Sequence, residues 1–163
     1  KKSLPMFGLA RTLKAVKERF AYVFALQDKY PGAPSIDAIV IKPGQSFDCF
    51  GKSVLPIEAH HGSMPIIGFR IDNMAYMTDV KTMAQESREL LMNLDVLVLS
   101  ALRIEDHPTH LNLEQALALI SQLKPKRTYL THVSHLMGFH DEVSAQLPDG
   151  VFLAYDNLQI HTT

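Results

Sequence analysis

Imidazole and carboxylate side chains recur at three short stations along this chain: His60-His61-Gly62, Thr78-Asp79, and Thr131-His132 running on to His135. Each station closes a strand-like apolar run. Imidazole nitrogens and carboxylate oxygens delivered from successive strand ends are donors that a divalent cation takes, and such mixed ligation suits zinc, manganese or iron. Taken singly, none of the eight histidines supports that chemistry, because a histidine at a strand end is more often a hydrogen-bonded structural residue. Their grouping changes the weighing. Asp79 and His132 both stand where an apolar strand stops, and burying either without a partner is costly. A shared cation would satisfy both.

The elements that must position these groups can be read from periodicity. Ser3–Leu9 is a strand-like run. It feeds an amphipathic helix in which Leu9, Leu13, Val16, Phe20 and Val23 recur at helical spacing, and Pro31-Gly32-Ala33-Pro34 ends it. Short runs broken by turn residues follow: Ile36–Ile41, Phe47–Phe50, Val54–Ala59, Ile66–Ile71 and Ala75–Thr78. That rhythm predicts an antiparallel meander. After Asp79 the pattern changes to alternation of helix and strand. A helix is expected over about 84–93, then strand Asp95–Leu102, then a helix opened by Asn112 as N-cap and stopped by Pro125, then strand Arg127–Thr131. A short helix near 139–146 leads to a final pair of strands, Val151–Tyr155 and Leu158–His161. Continuous apolar character at Val96–Leu99 and Tyr129–Thr131 predicts burial on both faces under covering helices.

Composition bounds the rest. The chain has 163 residues and a formal net charge of −1, enough length for one domain spanning 1–163 and no overall positive field for nucleic acid or an anionic membrane. No apolar run reaches membrane-spanning length. The single cysteine, Cys49, excludes an internal disulfide and suits a reducing compartment, so a cytoplasmic location is expected.

The ordered motifs HG-x-x-P-x-x-GF-x-I (from His61), Y-x-TD (Tyr76–Asp79), HPTH (His107–His110) and THxSH (Thr131–His135) closely resemble the metallo-β-lactamase superfamily. The similarity is greatest to the phosphoribosyl cyclic phosphate phosphodiesterases, a branch related to RNase Z, and runs from about Pro5 to Ile160. The resemblance implies an α/β fold that is part of an αβ/βα sandwich, antiparallel strands first and β/α alternation second. Carried over residue by residue, it implies His61 as ligand of a first metal, Asp79 as a bridging carboxylate, His132 as ligand of a second metal, and His110 as a general acid, with Asp106 or His107 in support. His135 matches a position that binds a structural zinc in some relatives, whose cysteine partners are not in this chain; a hydrogen-bonded role suits it equally.

One departure accompanies these matches. The His-x-His-x-Asp-His loop of these enzymes is absent, and no histidine precedes His60. Together with the opening Lys1-Lys2 and a first methionine, Met6, inside a strand-like run, this leads to the expectation of a C-terminal portion of a longer enzyme, its N-terminal strands missing, with little activity of its own. Exposed sheet edges would then favour self-association into homo-oligomers. The function implied for the intact enzyme is metal-hydroxide attack on a small cyclic phosphate or nucleotide ester, using two divalent ions, zinc or manganese. The alternatives are an RNase Z-like tRNA nuclease, which the absence of a basic arm disfavours, and a non-catalytic binding module on the same fold.

Overall fold

The computed structural model describes residues 3–25 and 30–161. Contacts divide the chain into two compact units, Lys1–Gln45 and Ser46–Thr163.

In the first unit, β1 (Leu4–Gly8) leads through α1 (Ala10–Arg19) and α2 (Ala21–Phe24) to β2 (Ile36–Val40). The two strands pair in parallel, Leu4 opposite Ile36 and Gly8 opposite Val40. This corrects the placement of Ile36–Ile41 in the antiparallel meander. A helical crossover returns the chain in its original direction, so the strand it delivers pairs in parallel with the one before. The expected single helix is also interrupted. Phe20 leaves helical geometry at φ −118° and ψ 40°, in a stretch (Phe20, Tyr22, Val23, Phe24) of weak helix formers. Leu13 and Val23 are buried on either side of the break. The end of that helical run toward Pro31 includes residues 26–29, outside the described residues.

The second unit is one seven-stranded sheet whose spatial order follows the chain. Strands β3 (Phe47–Cys49), β4 (Lys52–His61), β5 (Met64–Ile71) and β6 (Met74–Met77) form the expected antiparallel meander. Strands β7 (Val96–Ser100), β8 (Arg127–Thr131) and β9 (Val151–Leu153) then add in parallel to β6. The switch comes where helices begin to link the strands: α3 (Gln85–Glu89) precedes β7 and α4 (Leu113–Leu123) precedes β8. A short α5 (His140–Ser144) precedes β9.

Asn112 caps α4 as expected. Its side chain accepts from Gln115 N–H, and Gln115 answers at the Asn112 N–H, a reciprocal capping box. Ala116, Ile120 and Leu123 on one face of α4 are buried with Leu97, Leu99 and Leu130 in the main core. Lys124 takes left-handed geometry before Pro125 and ends the helix.

Strand β7 is buried at all five positions, as its apolar run requires. Strand β8 differs from expectation and alternates: Thr128 and Leu130 are buried while Tyr129 and Thr131 are half-buried. Its second face at Tyr129 meets the ring of Phe152, stacked at 5.4 Å, and Phe152 is itself 45% exposed. The last expected strand, Leu158–His161, does not form. A turn through Asn157 (φ 68°) closes with Leu158 N–H bonded to Tyr155 O at 3.1 Å, and the segment beyond is held by Arg127, which donates to His161 O at 3.0 Å.

Close approach of β5 and β6 depends on one glycine. A Cβ built on Gly68 would lie 2.7 Å from the carbonyl oxygen of Tyr76 and inside the space of the Met77 side chain. Gly68→Ala is therefore expected to destabilise the protein by about 1–3 kcal/mol through overpacking, read as a lower urea midpoint with an unchanged slope. An unchanged midpoint would show that β6 can move aside freely.

Candidate active site

Strands β4 and β6 run in the same direction because two antiparallel steps separate them, and β7 and β8 continue parallel to β6. The C-terminal ends of β4, β6 and β8 therefore reach one edge of the sheet. His61 is the last residue of β4, Asp79 lies two residues beyond β6, and His132 follows β8 directly. Asp79 and His132 both sit in left-handed backbone, at φ 61° and φ 59°. That geometry costs a residue with a Cβ roughly 1–2 kcal/mol, though Asp and His tolerate it better than most. Gly62, at φ 61°, turns the chain after His61.

The Asp79 turn is fixed from both sides. Val80 N–H donates to the buried hydroxyl of Ser100 at 3.2 Å, and Leu111 N–H donates to Val80 O at 2.7 Å. The second bond seats His110 beside Asp79. As a result His132 Nε2 lies 3.4 Å from Asp79 Oδ1, and His110 Nδ1 lies 3.9 Å from the same oxygen. His61 Nδ1 is 3.2 Å from the Asp79 carbonyl oxygen. In the tautomer that makes this bond, Nδ1–H donates and Nε2 keeps a free lone pair, the arrangement a metal-binding imidazole uses.

His110 is the buried member of the group, 9% exposed. Its ring centroid lies 4.4 Å from that of His61, 4.9 Å from His132 and 5.0 Å from His107. Burial first, and then the neighbouring imidazoles, hold its pKa below the usual histidine range; the opposing pull of Asp79 is smaller. Its Nδ1 is buried without a hydrogen-bond partner. Donor atoms of His61, Asp79 and His110 all lie within 4.8 Å of one another. The most compact trio thus contains His110, read from the sequence as an acid, while His132 joins it through Asp79.

The structure brings His61, Asp79, His107, His110 and His132 together and leaves the other histidines aside. His135 opens a short 3-10 turn (His135–Met137) and is exposed, in no metal-type cluster among the described residues. His140 faces Asp141 at 3.4 Å, and His161 offers its carbonyl to Arg127. His60 contributes backbone, bridging to Thr82. Sequence reading missed Ser100, a polar residue ending a fully buried strand, and Lys81, two residues past Asp79. Both carried a signal in their position at the ends of the strands flanking the site.

Residues 1–133 match the family described as the beta-lactamase superfamily domain. The chain belongs to that superfamily. A solved structure of a diphosphatase from the PhnP family superposes with a TM-score of 0.88 at 31% identity, covering 100% of this chain and 60% of that one. The short form of human tRNase Z superposes with a TM-score of 0.64 at 16% identity, over 97% of this chain and 67% of that one. The diphosphatase agrees with the branch of the superfamily read from the motifs, and the tRNase Z superposition shows the shared fold. A protein of Porphyromonas gingivalis named octanoyltransferase is 33% identical over 159 residues, which is 97% of this chain and 32% of that protein. The chain therefore spans about a third of that relative and three-fifths of the diphosphatase. No helix among the described residues is long and apolar enough to cross a membrane.

Gly62 is a site residue by geometry alone. A Cβ there would come within 3.0 Å of Thr109 Cγ2, one residue from His110, and would sit in left-handed backbone. Gly62→Ala is expected to lower stability by about 1 kcal/mol or more and to shift the backbone amide NMR resonances of residues 107–111. Resonances unmoved at 107–111 would contradict the contact.

Proposed function

We propose that the protein is a metal-dependent hydrolase acting on phosphorus esters, most specifically on a small phosphodiester such as a cyclic phosphate or nucleotide ester. The observation that carries this reading is the convergence of three imidazoles on Asp79, His110 and His132 at its carboxylate and His61 at its carbonyl oxygen. The donor set fits a divalent cation. Donor atoms of His61 and Asp79 lie within 4.8 Å of one another, His132 Nε2 lies 3.4 Å from the Asp79 carboxylate, and in the tautomer bonded to Asp79 O, His61 keeps a free Nε2. Zinc and manganese both accept such ligands.

His61 and Asp79 would hold one cation, and Asp79 and His132 would share in holding a second. When bound, such ions supply Lewis acidity toward a phosphoryl oxygen and water acidified to near neutral pH. The chain's own residues do the remaining work. The bond from His61 Nδ1–H to Asp79 O fixes the imidazole tautomer. The Ser100 hydroxyl and Leu111 N–H hold the turn that aims the carboxylate. His110, the buried imidazole beside Asp79, donates a proton to the departing oxygen as the ester bond breaks. An anionic phosphodiester beside that ring favours its protonated form.

Support also comes from the PhnP-family diphosphatase, a phosphorus-directed enzyme at 31% identity. The transferase name of the Porphyromonas protein is not carried over, since the matched stretch is 32% of its length. The formal charge of −1 gives no electrostatic footprint for a tRNA substrate.

Metal analysis of single variants separates ligand from acid. In the full-length protein, His61→Ala and His132→Ala are each expected to lose bound metal, while His110→Ala keeps it and loses about 10²-fold or more in kcat on a phosphodiester. Loss of metal in His110→Ala as complete as in His61→Ala would make His110 a ligand. Absence of metal from the unaltered protein, together with no hydrolysis, would favour a non-catalytic binding module.

A further inference from the structure

A strand end, a loop and a helix start of the site meet at Lys81. Its backbone N–H donates to His60 O at 2.7 Å, beside His61, and Asp79 stands two residues before it. Its ammonium reaches the other way. Lys81 Nζ lies 2.8 Å from Asp106 Oδ1 and donates to Gln115 Oε1 at 3.1 Å. Gln115 Nε2 donates to the same Asp106 oxygen at 2.9 Å and is the residue that completes the α4 capping box with Asn112. Asn112 donates through its side chain to Ile104 O at 3.1 Å, and Arg103 donates to Asp106 O at 2.6 Å. The segment so tied, Arg103 to Asn112, carries His107 and His110.

Most of these contacts are at the surface, where a lone ion pair contributes little. Lys81 is different: its side chain is 17% exposed, against 68% for Asp106. A lysine withdrawn that far gives up hydration, so its N–H donors need partners within the protein. Here they are met by one loop carboxylate and one helix-start amide, which are bonded to each other. Such a closed network resists displacement better than its separate bonds would. The Asp106 carboxyl is correspondingly held below the usual carboxylate range, first by Lys81 and then by Gln115. His110 Nδ1, by contrast, makes no hydrogen bond, so the place of that ring is inherited from the segment that bears it.

We propose that Lys81 is a positioning residue, whose ammonium holds the Arg103–Asn112 segment against the strand end bearing Asp79 and so sets where His110 stands. The inference rests on the reading of His110 as proton donor. A misplaced donor matters most when the departing oxygen is a poor leaving group, so the signature is selectivity between esters. The full-length protein is assayed on two phosphodiesters, one releasing p-nitrophenolate and one releasing an alkoxide.

His110→Ala is expected to lose about 10²-fold more on the alkoxide ester than on the nitrophenyl ester. Lys81→Met should lose selectively in the same direction, by about tenfold in kcat, with KM and metal content unchanged and with faster amide exchange confined to residues 103–112. Lys81→Arg should restore most of the loss. Asp106→Asn, a change at an exposed side chain, should reproduce the selective loss even if Lys81→Met folds poorly. Equal loss on both esters, or none, in Lys81→Met and Asp106→Asn while His110→Ala remains selective overturns the role of Lys81 alone. A His110→Ala variant without selectivity overturns the proton-donor reading and this inference with it.

Discussion

The carboxylate of Asp79 is the point on which the site depends. Three imidazoles approach its residue, two of them within 4 Å of one carboxylate oxygen, and at 3.9 Å His110 Nδ1 stands too far from it for a hydrogen bond. His110 in particular is left with a buried, unpaired nitrogen. The cost of that arrangement is added to the left-handed backbone of both Asp79 and His132. Strain and unmet polarity of this kind persist only where the surroundings over-determine them. Here the surroundings are explicit: a buried Ser100 hydroxyl on Val80 N–H, a backbone bond from Leu111 to Val80, and a β5–β6 contact so close that only Gly68 fits.

Much of this was legible in the chain because strand ends are marked twice, once by the stop of an apolar run and once by the polar residue that follows. His61, Asp79 and His132 are found that way, and Asn112 announces α4 by capping chemistry. The parallel half was visible in the unbroken burial of β7. The motifs of the resemblance then supplied roles that spacing alone leaves open. The family match and the superposition on the PhnP-family diphosphatase agree with that assignment of fold.

What escaped was whatever a distant segment decides. The partner of β2 is β1, joined to it by a helical crossover, and local alternation cannot distinguish that from a meander strand. The break at Phe20 comes where helix propensity is weak, inside a pattern that still reads as one stripe. Strand β8 looks doubly buried by composition, yet Tyr129 meets an exposed Phe152. His110 lies in a loop without periodicity, so its approach to the metal-type donors follows from Leu111 bonding to Val80, a contact between residues far apart in the chain. Lys81 escaped for the same reason, since its partners Asp106 and Gln115 lie on the segment across from it.

The central claim is that these side chains surround a cation at Asp79. Anomalous diffraction at the zinc edge, on crystals grown with zinc, tests it most directly. A peak is expected about 2.0–2.2 Å from an Asp79 carboxylate oxygen and from His61 Nε2. A well-ordered site with no peak there, and with His132 still bonded straight to the Asp79 carboxylate, would contradict it.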